Sequence, residues 1–187
     1  MAKPSRVVVL VEDNRQQQLV FRYLRRIGLE PHAMRFVLPM SGSGEQWVRE
    51  QFPVELTAYR RRSARAETKL IAVIDADNFT LPERLAQLDQ KLREDSVEPI
   101  RIDVEQVAVA RLIPRRNIET WILCLNAVEV NEESDYKKTR NDWTELIRPA
   151  AETLYAWTRS NTQVPDNCIP SLQHGVAELR RLDFSAV

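Results

Sequence analysis

Short aliphatic runs recur along the chain, and each is followed by a stretch of helical period. Val7-Val8-Val9-Leu10-Val11 is the pattern of a strand buried on both faces, and it ends at Glu12-Asp13-Asn14. From Arg15 to Ile27, the residues Leu19, Val20, Tyr23, Leu24 and Ile27 fall on one helical face, with Arg22, Arg25 and Arg26 opposite. Gly28 suits the C-cap of that helix, and Pro31 blocks its continuation. A second strand of weaker pattern is predicted over 34–40. Ser41-Gly42-Ser43-Gly44 reads as a loop able to cap the next helix, predicted over 45–69, which Pro53 is expected to break or kink. Leu70-Ile71-Ala72-Val73-Ile74 is another buried strand and ends at Asp75-Ala76-Asp77-Asn78. Thr80 opens a third helix, with Pro82 in its first turn and Leu81, Leu85, Leu88 and Leu92 as its stripe. A fourth strand over 104–113, a turn at Pro114-Arg115-Arg116-Asn117 and a short helix over 118–125 complete the series.

This β-α-β-α-β-α-β-α order predicts an α/β fold, a four-stranded parallel sheet with helices on both faces, because parallel strands need right-handed helical crossovers. The core is assigned to residues 1–127. Residues 128–187 read as an extension of the same globular unit: an acidic, polar loop over 128–142, then helices over 143–158 and 171–184. The two helices are expected either to cover one side of the sheet or to form a partner surface. Trp47, Trp121, Trp143 and Trp157 are read as packing residues.

Composition narrows the chemistry. The 187 residues are 43% hydrophobic, enough for a core without covalent staples. Lys plus Arg and Asp plus Glu number 27 each, so the net charge of +0 excludes a polycation that holds nucleic acid by bulk charge. No run approaches the length of a membrane span and no apolar signal segment opens the chain, so a cytoplasmic location is expected. Cys124 and Cys168 form no Cys-x-x-Cys pair, and with 2 histidines a zinc or disulfide framework is excluded. A metal here must be held by carboxylates, which points to magnesium, manganese or calcium.

Ligands of parallel sheets bind beyond the carboxyl ends of the strands. The first strand ends in Glu12 and the third in Asp75 and Asp77, which extended backbone would project alike. Glu119 follows the fourth strand at the same edge. An acid at a strand end often only caps the next helix, as Asn14, Asp77 or Asn78 would. Acids after three strands go beyond capping, since carboxylates crowded together repel unless a cation neutralises them. Arg115, Arg116, Lys137 and Lys138 are candidate phosphate contacts at this edge, Arg111 belongs to the same basic group, and Arg60, Arg61, Arg62 and Arg65 read as a solvated helix face.

Val8-Val9-Leu10-Val11-Glu12 and Leu70-Ile71-Ala72-Val73-Ile74-Asp75-Ala76-Asp77 resemble the Toprim superfamily, which carries a Glu after its first strand and Asp-x-Asp after its third. Asn117-Ile118-Glu119-Thr120-Trp121, Asp135-Tyr136-Lys137-Lys138 and Cys168-Ile169-Pro170-Ser171-Leu172 look like segments of small stand-alone Toprim-like proteins, including the RloB-like group. The resemblance implies a four-stranded Toprim-like core and a nuclease that hydrolyses phosphodiesters of DNA or RNA with Mg2+ or Mn2+. It implies Glu12, Asp75 and Asp77 as metal ligands, and these three with Glu119 as catalytic residues. It also implies a component of prokaryotic anti-phage defence acting beside an ATPase. Asp13 stands where the family has Gly, and Gln16 where several relatives place another acid. The latter departure favours one ion over two and leaves a non-catalytic Toprim-like scaffold or nucleic-acid-binding subunit as the alternative. Val-Leu-Val-Glu-Asp-Asn also resembles the opening of a response-regulator receiver, but no hydroxyl follows the fourth strand and no fifth strand with a terminal Lys is evident.

Overall fold

The computed structural model describes residues 6–63, 68–95, 108–182 and 184. Its elements run β1 (Arg6–Leu10), α1 (Asn14–Ile27), a 3-10 turn (Pro31–Ala33), β2 (Met34–Val37), α2 (Gly44–Ser63), β3 (Thr68–Val73), α3 (Leu81–Asp95), β4 (Val109–Leu112), α4 (Ile118–Leu125), α5 (Trp143–Thr158) and α6 (Pro170–Arg181). The four strands form one parallel sheet of order β2-β1-β3-β4. In register, Val8 stands beside Arg35 and Leu70, and Ile71 beside Ala110.

Strand alternation splits the core in two. Val7, Val9 and Val11 join α1, α4, α5 and α6 on one face of the sheet. Val8 and Leu10 join α2 and α3 on the other. The aliphatic runs are thus buried on both sides because helices cover both sides. Ile147, Ala150, Leu154, Leu172, Val176 and Leu179 of α5 and α6 share the core of Val7 and Val9, so the C-terminal helices cover one side of the sheet. Trp121 and Trp143 are buried, while Trp47 and Trp157 are partly buried and pack against the two cores.

Several boundaries differ from expectation. The helix α2 runs unbroken through Pro53. One lost backbone hydrogen bond is outweighed there by Val48, Phe52, Leu56 and Tyr59, which all enter the core against β3. The strand β2 stops at Val37, two residues before Pro39, and α6 stops at Arg181, three residues short of the expected end. Residues 104–107 of the expected fourth strand, and Arg65, lie outside the described residues. Among the described residues no helix is long and apolar enough to cross a membrane.

Candidate functional site at the carboxyl edge of the sheet

Capping is performed by other residues than the candidate acids. Asp13 caps α1, accepting from the backbone N–H groups of Arg15 at 2.9 Å and Gln16 at 3.0 Å. Thr80 and Glu83 form a reciprocal capping box at α3: the Thr80 N–H donates to Glu83 Oε2 at 2.7 Å and the Glu83 N–H to Thr80 Oγ1 at 3.3 Å. Glu12, Asp75, Asp77 and Asn78 therefore cap neither helix.

Glu12 and Asp75 meet. The Asp75 backbone N–H donates to Glu12 Oε1 at 2.6 Å. Gln16 links the two, accepting from the Glu12 N–H at 2.8 Å and donating through Nε2 to Asp75 Oδ1 at 2.9 Å. Asp75 is 1% exposed, and its Oδ2 has no hydrogen-bond partner; the nearest cation is Lys137 Nζ at 3.6 Å. Burial, and then the charge of Glu12, hold the Asp75 carboxyl well above the usual carboxylate range. Burial likewise pushes Glu12 up to about 7, against the Asp75 N–H bond and reinforced by the nearby charge of Asp77. Burial opposes the charge of Lys137, but Asp75, Glu119, Asp77 and Glu12 together raise its pKa. Glu119 is fully buried and ion-paired to Arg15, with Oε2 left without a partner.

Asp77 departs from expectation. Its φ of 51° is left-handed, which ends the alternation that would have projected it alongside Asp75. Its side chain is 48% exposed and lies 3.8 Å from Arg84 Nη2. It stands on the rim, near enough to act on Glu12 through charge but apart from the hydrogen-bonded pair. Among the described residues no three His, Cys, Asp or Glu side chains cluster as a metal-binding group. Two carboxylates nonetheless match what magnesium takes from a protein when water and substrate phosphate fill its other positions. Asp75 Oδ2, which accepts no hydrogen bond, is the acceptor such an ion would satisfy.

The basic candidates divide. Arg115 is occupied by structure: its Nη1 donates to the carbonyls of Asp77 at 2.9 Å and Phe79 at 2.6 Å, tying down the β3–α3 loop. Arg116, itself left-handed at φ 68°, donates to Asn78 Oδ1 and lines a cleft of about 350 Å³ with Asp77, Phe79, Arg84 and Lys137. Arg111 pairs with Asp89 of α3 at 2.7 Å and does not face the cleft. Lys138 is exposed, as are Arg60 and Arg61. The side chain of Arg62 lies outside the described residues.

Three features of the site escape a reading of sequence. Arg84 is 1% exposed beneath Phe79, paired to Glu45 and donating to the Ala76 carbonyl at 3.3 Å. Its only signal is an Arg one position before the Leu85 of an apolar stripe. Asn117 Nδ2 and the Lys137 N–H both donate to Asp135 Oδ1, at 2.8 and 2.9 Å, so that loop delivers Lys137 to Asp75. Gly44 opens α2 against Glu12: a Cβ there would stand 2.7 Å from the Glu12 Cβ and 2.9 Å from its carbonyl oxygen.

Cys124 and Cys168, unrelated by spacing, are neighbours. Both are free, and the contact with Cys168 lowers Cys124 to about 6 while that contact and burial push Cys168 up. Cys124 is half-buried, so it is expected to alkylate with iodoacetamide at pH 7 several times faster than an ordinary thiol of pKa about 8.5. Cys168→Ala should slow it to the ordinary rate. Equal rates in both proteins, measured by mass spectrometry, would remove the interaction.

Fold and site together define an α/β protein with a hydrogen-bonded Glu12–Asp75 pair, Asp75 fully buried, at the carboxyl edge of a four-stranded parallel sheet. The chain matches no protein-family model, no curated protein and no solved structure.

Proposed function

We propose that this protein is a Toprim-type phosphodiester hydrolase that cleaves nucleic acid with one Mg2+ or Mn2+ ion. The reading rests on the Glu12–Asp75 pair: two acids from different strand ends, one partly and one fully buried, with a carboxylate oxygen that accepts no hydrogen bond. Glu12 and Asp75 would hold the ion, with Asp77 at the rim. When bound, the ion supplies positive charge that polarises a phosphodiester and acidifies a coordinated water. Without the ion Glu12 binds a proton near neutrality, and taking up the ion would release it, so metal affinity should rise with pH through this range. Lys137 and Arg116 present cations to phosphate oxygens. Arg15 and Glu119 position the start of α1, and with it Gln16. A cytoplasmic defence role beside an ATPase is the setting that the Toprim resemblance supports.

One observation favours a non-catalytic nucleic-acid-binding scaffold. Gln16 and Lys137 already engage the two oxygens of Asp75, at 2.9 and 3.6 Å. Incubation of single- and double-stranded DNA and RNA with the protein and Mg2+ or Mn2+ separates the two. The hydrolase is expected to cleave only with metal. Metal at ten times its Kd should also raise Tm by about 3–6 °C, the effect of roughly 1.4 kcal/mol on a chain of this size. Strand binding without turnover would leave the scaffold. Absence of both turnover and thermal shift would dismiss the metal site.

A further inference from the structure

On the α1/α5 surface, Phe21, Arg22, Arg25 and Arg26 of α1 face Arg148 and Glu152 of α5 across a groove of about 370 Å³. Arg26 is neutralised by Glu152 at 2.5 Å, and Arg25 by Glu30 at 2.9 Å. Arg22 and Arg148 are exposed, and among the described residues neither makes an ion pair or side-chain hydrogen bond. In a protein of zero net charge, this is a local excess of positive charge lodged in a concave surface.

The same surface carries aromatics between the arginines. Phe21 is 36% exposed and held edge-on by Phe36, with ring centroids 6.1 Å apart. Tyr155 lies under Arg26 at 4.9 Å and beside Arg159 at 5.6 Å. Tyr155 is partly buried and already stacked by these guanidinium groups, which leaves Phe21 as the exposed ring. Guanidinium groups beside an exposed ring are what an unpaired strand requires: phosphates take the forks and a base takes the ring face. A lipid surface would favour a flat or protruding patch over a groove. The axis of α1 also sets a direction. Arg15, Arg22 and Arg26 lie within about 40° of one line along the helix, about 10 and 6 Å apart. Arg15 pairs with Glu119 at the carboxylate site.

We propose that the α1/α5 groove binds single-stranded nucleic acid, with backbone phosphates on Arg22 and Arg148 and a base on Phe21, and leads the strand along α1 toward the Glu12–Asp75 edge. The direction of the strand rests on the hydrolase reading; the binding does not.

The test is fluorescence anisotropy of labelled 20-nucleotide DNA and RNA single strands with the full chain in EDTA, where binding is read without cleavage. The double variant Arg22→Glu/Arg148→Glu is expected to weaken binding at least tenfold. It should also flatten the plot of log K against log salt by about 1.4, the share of two phosphates. Arg61→Glu/Arg93→Glu, an equal charge change on exposed positions of α2 and α3, should bind as the wild type does. Phe21→Ala should lose about 5- to 150-fold, and Phe21→Trp should restore it. Undiminished binding by the groove variant overturns the proposal, as does an equal loss in the control variant. Tighter binding to a duplex or to phosphatidylglycerol vesicles also overturns it. Cleavage assays keep the two readings apart: a groove defect in a protein that never cleaves leaves the groove standing without the hydrolase. Cleavage with undiminished strand binding by the groove variant leaves the hydrolase without the groove.

Discussion

Asp75→Asn is expected to lower metal-dependent strand cleavage by about a thousandfold or more, and Glu12→Gln to do the same while stabilising the metal-free protein above neutral pH. The activity loss follows from removing one of the two hydrogen-bonded carboxylates proposed to hold the ion. Asparagine keeps the Oδ1 that accepts from Gln16, and Lys137, 39% exposed, can turn to solvent, so the fold should survive. The stability gain follows from proton linkage. Glu12 has a folded-state pKa near 7, against 4.5 when unperturbed. Between those values the folded chain binds more protons than the unfolded one, so stability falls as pH rises through this window. The loss is on the order of 3 kcal/mol by pH 8, and Glu12→Gln does not suffer it. Thermal melts with EDTA should give matching Tm values for wild type and Glu12→Gln near pH 4.5. At pH 8 the variant should lead by roughly 6–12 °C. Parallel profiles across the range would mean that the pair carries no frustrated charge. Persistent cleavage by both variants would end the hydrolase reading.

Gly175→Ala is expected to lower Tm by roughly 6–12 °C, from a loss of about 3 kcal/mol. Helix propensity alone predicts the opposite sign, since Ala in a helix interior gains about 1 kcal/mol over Gly. Contact decides against it. A Cβ at position 175 would fall well inside van der Waals distance of Trp121 Cη2, with Cζ3 at 2.9 Å and Cζ2 at 3.0 Å. The ring is 1% exposed, and its Nε1 is tied to Ser171 Oγ at 2.8 Å, so it has nowhere to move. Displacing α6 would loosen the turn after β4, because the Arg115 N–H donates to Ser171 Oγ at 3.2 Å. Trp121→Phe, which shortens the ring, should recover part of the loss in the double variant. A rise in Tm for Gly175→Ala would show that α6 and the ring yield without cost.

How much of this was legible in the chain can be traced residue by residue. The two buried aliphatic runs, the cap at Gly28 with its φ of 111°, and α4 between Ile118 and Leu125 follow from short-range pattern. So does the Thr80–Glu83 cap, whose Ser/Thr-x-x-Glu spacing stands in the sequence. That the acids after β1 and β3 reach one edge followed from topology, because β1 and β3 are adjacent parallel strands. Pro53 misled because propensity weighs one missing donor, while the apolar side chains around it decide the helix. Asp77 misled because a single left-handed residue reverses the projection that extended backbone implies. For Arg115 the chain gives no sign that its guanidinium clamps backbone carbonyls, because those acceptors lie more than thirty residues away in sequence.

Periodicity, caps and crossover handedness act over a few residues or through universal chirality, so the order of elements, the parallel sheet and the edge that carries the acids were all written in the linear chain. The partner of each charge was not. Whether Asp75 faces Glu12, Gln16 and Lys137, whether Arg84 is buried under Phe79, and whether Arg22 meets Arg148 across a groove depend on contacts between residues up to more than a hundred positions apart. Electrostatic and hydrogen-bond energies fall off over a few ångströms, and only the packed chain sets separations on that scale.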